Sequence, residues 1–81
     1  MWKEGLFVID GVELFYQAKV FDEPSELGIN GGRISILAIC ATVQNKPCWH
    51  LEIVGYSRGW YHLPNSNIAK EALEYVLNLY S

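Results

Sequence analysis

Apolar and polar residues alternate through the first quarter of the chain. Residues 6–9 form a β-rich run, Asp10-Gly11 follows, and a second run covers residues 12–21. In the second run every other position from Val12 to Val20 is apolar, and most positions between them are polar. This period of two predicts a strand with one buried face. Asp-Gly between two such runs predicts a hairpin with a type I′ turn.

The most apolar stretch lies in the middle of the chain. Residues 33–43 carry apolar side chains at both parities, which predicts a third strand that is central and covered on both faces, by the helix or by another subunit. Residues 44–47 are predicted to turn, and residues 48–56 to form the fourth strand. Residues 57–64 are predicted to be an aromatic loop.

The pattern changes to a period of 3.6 near the end of the chain. Residues 65–67 offer helix N-cap side chains, and a helix is predicted from Ile68 to Tyr80. Its apolar stripe consists of Ala69, Ala72, Leu73, Val76, Leu77 and Tyr80. Strands followed by one helix predict a single α+β domain over residues 1–81. Its architecture is a four-stranded antiparallel sheet of two hairpins with one C-terminal helix packed on one face.

Size and charge limit the classes of partner. A chain of 81 residues has a small core, and with 51% hydrophobic residues some apolar side chains must stay on its surface. We therefore expect a homo-oligomer, with a dimer as the first expectation. Its net charge of −3, with only six Lys and Arg, argues against binding duplex DNA. No apolar run reaches the length of a membrane span.

Two features of the sequence indicate the compartment. No export signal is visible, and we therefore expect Cys40 and Cys48 to be free thiols in a cytoplasmic protein. Cys48, His50 and His62 can ligate metals but are one short of a structural zinc set, so we expect neither metal nor cofactor. No serine or cysteine lies in a triad-like context beside a histidine, and we do not expect an enzyme.

The sequence Gly28-Ile29-Asn30-Gly31-Gly32-Arg33 is the first candidate site. Glycine and asparagine tolerate positive φ, so Asn30, Gly31 and Gly32 can aim successive N–H groups at a phosphate or carboxylate, and Arg33 can add a bidentate contact. The segment matches neither a P-loop nor a dinucleotide fingerprint. The alternative is a tight loop that only needs positive φ.

The second candidate site is Arg58-Gly59-Trp60-Tyr61. Arginine beside two aromatic rings can hold a phosphate and stack on a base. The same residue types are typical of protein interfaces. A third interpretation is that Trp60 and Tyr61 cover the helix end while Arg58 stays solvated.

Three segments resemble a small family. They are Asp10-Gly11, the segment from Glu23 to Ser35 with its Ser-Glu-x-Gly-Ile-x-Gly-Gly-Arg-Ile-Ser core, and Tyr56-Ser57-Arg58-Gly59-Trp60. Together they are similar to short proteins of phages and mobile elements of Gram-positive bacteria that carry a domain of unknown function. The resemblance implies no chemistry of its own. It implies a genomic setting in which small acidic proteins act by binding, for example against host defence.

Two functional hypotheses follow. The leading one is a non-catalytic counter-defence protein that binds an anionic ligand such as a nucleotide. Its binding residues are Asn30, Gly31, Gly32, Arg33, Arg58, Trp60 and Tyr61. The alternative is an anti-CRISPR-like inhibitor of a host defence nuclease, which would use the acidic residues Glu23 and Glu26 and the aromatic residues Trp2 and Trp49.

Overall fold

The fold is a meander of five antiparallel strands with one helix. A computed structural model describes residues 1–81. Its elements are β1 (Trp2–Ile9), β2 (Val12–Val20), a 3₁₀ turn (Ile29–Gly31), β3 (Ile34–Val43), β4 (Lys46–Ser57), β5 (Trp60–His62) and α1 (Asn67–Leu79). The strands lie in the order β1-β2-β3-β4-β5, each antiparallel to its neighbour. The predicted α+β class and helix are confirmed.

The prediction of four strands was wrong, because the sheet has five. The fifth strand, β5, lies in the segment predicted to be an aromatic loop. Three residues are too few to show alternation, and its pairing with β4 is irregular. The chain enters β5 through a tight turn in which Arg58 adopts a φ of 57°.

Two-residue turns close the first two long hairpins. Asp10 and Gly11 adopt φ angles of 50° and 80°, as a type I′ turn requires. Gln44 and Asn45 adopt 53° and 64° in the corresponding position between β3 and β4. The second turn is therefore shorter than the predicted residues 44–47, and β4 begins at Lys46.

Helix α1 packs on one face of the sheet. The Ser66 side chain caps it by accepting a hydrogen bond from the N–H of Ala69. Buried apolar residues of the sheet, the 21–33 loop and the helix form the core: Phe7, Leu14, Tyr16, Ala18, Val20, Ile29, Ile34, Leu37, Ile39, Val54, Tyr56, Ala69, Ala72 and Val76. No helix in the structure is long and apolar enough to cross a bilayer.

The opposite sheet face, which we call the open face, has no helix against it. By the strand register it includes Trp2, Leu6 and Val8 of β1. The three side chains are 51–61% exposed. Phe15 lies beside Leu6 on β2, and its ring meets that of Trp49 edge to face at 6.0 Å. A band of apolar side chains thus crosses the open face.

Candidate ligand-binding cleft

The loop of residues 21–33 folds back on itself through its glycines. The N–H of Ser25 donates to the carbonyl of Gly32 at 3.0 Å, and the N–H of Gly28 donates to the carbonyl of Ser25 at 2.9 Å. A Cβ on Gly28 would lie 2.0 Å from the Gly32 carbonyl oxygen, so only glycine fits there. Ile29 is buried in the core and anchors the loop to the sheet and helix.

The loop uses its own N–H groups internally. Gly31 donates to the carbonyl of Gly28 at 3.0 Å, and Gly32 donates to the carbonyl of Ile29 at 2.9 Å. Asn30 and Gly31 adopt positive φ angles of 55° and 71°, which close this 3₁₀ turn. These two N–H groups therefore stabilise the turn, and the Arg33 side chain is the loop's group suited to an anion.

Arg33 is held in place by main-chain contacts. Its Nε donates to the carbonyl of Phe21 at 2.8 Å, and its own carbonyl accepts from the Phe21 N–H at 2.8 Å. Its guanidinium makes no salt bridge, and the one ion pair of the structure joins His62 and Glu52. The Nη groups of a half-buried, oriented guanidinium are thus left without a carboxylate partner.

A cleft of about 250 Å³ lies beside Arg33, between the loop, the start of β3 and the C-terminal end of α1. Its lining residues are Pro24, Ile29, Asn30, Gly32, Arg33, Ile34, Leu77, Asn78, Tyr80 and Ser81. Arg33 is the only charged side chain among them. Arg33 is therefore the side chain of the cleft that can attract a negatively charged group.

Tyr80 connects the cleft to the core. Its hydroxyl lies 2.6 Å from the hydroxyl of Tyr16, a buried residue of β2. Burial, followed by this hydrogen bond, raises the pKa of Tyr16 to about 12. The pair fixes the last turn of α1 against the sheet and so positions one wall of the cleft.

The turn between β4 and β5 lies at the same end of the sheet as Arg33. The N–H of Arg58 donates to the carbonyl of Ser35 at 3.2 Å, but the exposed Arg58 side chain does not line the cleft. Trp60 packs edge to face on Tyr56 at 5.0 Å, and the Tyr56 hydroxyl donates to the carbonyl of Leu27. Trp60 thus lies near the loop, also outside the cleft.

Tyr61 belongs to a different cluster. Its hydroxyl donates to Glu52 at 3.0 Å, and Nδ1 of His62 lies 3.1 Å from the other oxygen of that carboxylate. Its ring lies over Gly55, where a Cβ would come within 2.3 Å of it. Burial and the bond to Glu52 raise the pKa of Tyr61. The structure therefore brings Asn30, Gly32 and Arg33 together at the cleft, and places Gly31, Arg58, Trp60 and Tyr61 elsewhere.

Comparison with known families gives one match. The sequence profile described as "Domain of unknown function (DUF7678)" matches residues 1–81. The chain belongs to the DUF7678 family. Comparisons with curated proteins and with solved structures give no match.

The second set of predicted residues in this DUF7678 protein lies on three segments of the chain. Glu23 and Glu26 are exposed on the 21–33 loop. Trp2 is 56% exposed on β1, and Trp49 is 43% exposed beside Phe15 on the open face. Trp2 and the acidic pair thus lie toward the end of the sheet where the 21–33 loop begins, and Trp49 lies toward the β3–β4 turn.

Both cysteines of the DUF7678 chain are free thiols. Cys40 is fully buried in β3, and burial raises the pKa of its thiol. Cys48 is half-buried, and His50 is exposed. No three His, Cys, Asp or Glu side chains come together in a geometry that could hold a metal ion.

Sequence reasoning missed the helix side of the cleft and the Glu52 cluster. Asn78, Tyr80 and Ser81 lie more than 40 positions from Arg33 in the sequence, and only the packing of α1 brings them to it. Glu52 has a weak local signal, as a charged residue between apolar neighbours on β4. Its two partners are visible only once β5 is paired.

Proposed function

We propose that this DUF7678 protein is a non-catalytic binding protein that holds a small anionic ligand, of the nucleotide class, at Arg33. One observation carries the proposal: Arg33, which has no carboxylate partner and is oriented by Phe21, is the only charged side chain lining the cleft. The chain as a whole is acidic. A guanidinium presents paired N–H groups that match a phosphate or carboxylate. An anion there would complete its hydrogen bonding.

The walls of the cleft suit a ligand with one charged and one apolar part. Ile29, Ile34 and Leu77 supply apolar surface, and the amides of Asn30 and Asn78 supply donors and acceptors. A volume of about 250 Å³ is just below the usual range of roughly 300–1,000 Å³ for ligand pockets. We therefore propose that the cleft takes the phosphate and part of a mononucleotide, with the remainder outside.

The side chains around the cleft support binding rather than turnover. Its lining includes no Asp, Glu, His or Cys that could act as a general base or nucleophile. The Tyr80 hydroxyl, which also belongs to the lining, is already engaged in a hydrogen bond with Tyr16. A counter-defence role, expected from the resemblance to phage proteins, is part of the proposal: a binding protein of this kind would sequester a nucleotide signal.

Native mass spectrometry of the purified protein tests the proposal and identifies the occupant. We expect a retained mass of a few hundred daltons that survives in Arg58→Ala and is lost in Arg33→Ala. Arg58 is the matched control, because it is an exposed arginine at the same end of the sheet that does not line the cleft. Equal retention by Arg33→Ala and the wild type would overturn the assignment to Arg33.

The open face favours a second candidate function, the inhibition of a protein partner. Its band of apolar side chains, which includes Leu6, Phe15 and Trp49, has no covering helix. Such patches are typical of protein-binding surfaces. Under this candidate, capture of a defence nuclease requires Trp49 or the acidic pair Glu23 and Glu26, and tolerates Arg33→Ala. A pull-down in which Trp49→Ala and Glu23→Lys with Glu26→Lys bind as well as wild type would reject it.

A further inference from the structure

The outer edge of β1 carries unpaired main-chain groups. Met1 and Val20 exchange both of their N–H···O bonds at 2.8 Å, so they form a hydrogen-bonded pair of the β1–β2 ladder. Because such pairs alternate with non-hydrogen-bonded pairs in an antiparallel ladder, every second residue of β1 points its N–H and C=O away from β2. These residues are Trp2, Glu4, Leu6 and Val8.

The edge is also apolar and long. The opposite edge of the sheet is irregular, because β5 has three residues and the part of β4 that it leaves uncovered contains Pro47 and lies where the β3–β4 register shifts. β1 has eight residues in one regular register with β2. Trp2, Leu6 and Val8 stand on the open face of this strand and are each more than half exposed. A long apolar edge with free N–H and C=O groups is a template for pairing with another strand. The edge carries no proline and no bulge that would prevent such pairing.

We propose that this edge pairs with β1 of a second copy, so that two five-stranded sheets join into one ten-stranded sheet. The pairing is antiparallel, with Gly5 on the twofold axis. In this register Trp2 faces the partner's Val8, and Glu4 faces the partner's Leu6. All four outward-pointing residues of each copy are then hydrogen bonded, and Trp2 covers an apolar side chain that is exposed in the single chain.

Charge and the number of paired positions together favour this register over its two neighbours. Moving the axis by one residue toward Glu4 would place the two Glu4 carboxylates directly opposite each other, which is unfavourable. Moving it by one residue toward Leu6 would leave Trp2 without a paired position. The register centred on Gly5 keeps Glu4 opposite Leu6 and uses the whole edge.

Sedimentation velocity over a range of concentrations tests the dimer. We expect the wild type to pass from the 9.2 kDa chain to twice that mass over roughly micromolar concentrations, as is typical of a small interface. Glu4→Pro removes an outward N–H that β2 does not use, so it should abolish the dimer and keep the circular dichroism spectrum. Glu4→Gln, the matched control, keeps that N–H and should dimerise at least as well as the wild type.

A pair of substitutions at Leu6 tests the register and does not depend on the proline variant folding. Leu6→Glu places a second carboxylate opposite the partner's Glu4 and should raise the dissociation constant roughly tenfold, because the twofold axis repeats the contact. Leu6→Lys forms opposite-charge contacts and should dimerise as well as the wild type or better. A wild type that stays monomeric at every concentration, or a Lys variant weakened as much as the Glu variant, would overturn the proposal.

Discussion

Arg33 and Phe21 are joined by two hydrogen bonds, one through the arginine side chain and one through its main chain. The guanidinium Nε donates to the Phe21 carbonyl, and the Phe21 N–H donates to the Arg33 carbonyl, both at 2.8 Å. The loop of residues 21–33 is therefore closed at its base by the same residue that faces the cleft. The Nε of Arg33 stabilises the loop, and its Nη groups are available to bind a ligand.

The double contact predicts a moderate loss of stability when Arg33 is truncated. Arg33→Ala removes one charge-assisted hydrogen bond at a half-buried position and keeps the main-chain bond, so unfolding should become easier by about 1–2 kcal/mol. Urea denaturation of Arg33→Ala beside Arg58→Ala measures this. Arg58 makes no side-chain bond in the structure and its variant should match the wild type. An Arg33→Ala chain that cannot fold would contradict the division of roles between Nε and Nη.

Gly28 should be the least replaceable residue of the loop. A Cβ there would meet the main-chain oxygen of Gly32 at 2.0 Å, and main chain on both sides must move to relieve the contact. We expect Gly28→Ala to lower the free energy of unfolding by roughly 2–4 kcal/mol. Gly59→Ala is the control, because nothing lies within 4 Å of its Cβ position. Equal melting temperatures for the two variants would show that the loop packs differently.

Ionisation of Tyr16 should limit stability at alkaline pH. Its pKa rises from an ordinary value of 10.0 to about 12, chiefly because it is buried and then because it bonds to Tyr80. A raised pKa means that the folded state favours the protonated form of Tyr16. The stability that protonated Tyr16 contributes is therefore fully present below pH 10 and is lost as the pH rises to about 12. Thermal melts should show a steeper loss over this interval for the wild type than for Tyr16→Phe. Parallel curves of melting temperature against pH for the two proteins would contradict the claim that Tyr16 ionisation limits stability.

The two thiols should react at very different rates. Cys40 is fully buried with a raised thiol pKa, whereas Cys48 is half-buried in β4. Because the thiolate is the reactive form, a thiol reagent should label one equivalent rapidly and the second only on unfolding. Cys48→Ser should remove the rapid phase and Cys40→Ala should retain it. Two equivalents labelled rapidly in the native protein would contradict the burial of Cys40.

Local sequence signals predicted most of the fold. Asp10-Gly11 requires two positive φ angles, and the structure has them. The helix, predicted over residues 68–80, forms at Asn67–Leu79, one residue earlier. β5 was missed because three residues carry no period, and its position depends on pairing with β4.

The candidate cleft could be predicted only in part. Asn30, Gly32 and Arg33 stand together in the sequence, and their residue types alone indicated an anion. The N–H groups of Gly31 and Gly32 were expected to face that anion, but hydrogen bonds within the 3₁₀ turn engage them. Local sequence does not show that the turn uses these N–H groups itself, nor that α1 places Asn78 beside the loop. Long-range packing decides both.

A titration of the ¹⁵N-labelled protein with 5′-AMP, followed by amide chemical shifts, tests the proposed anion site most directly. Binding at the cleft predicts saturable shifts at Asn30, Gly32 and Asn78 that persist in Arg58→Ala and vanish in Arg33→Ala. Inorganic phosphate should shift the same loop signals more weakly, because it lacks the apolar part. The absence of any saturable shift at millimolar 5′-AMP and phosphate, or shifts that survive Arg33→Ala, would contradict the claim that Arg33 binds an anion in this cleft.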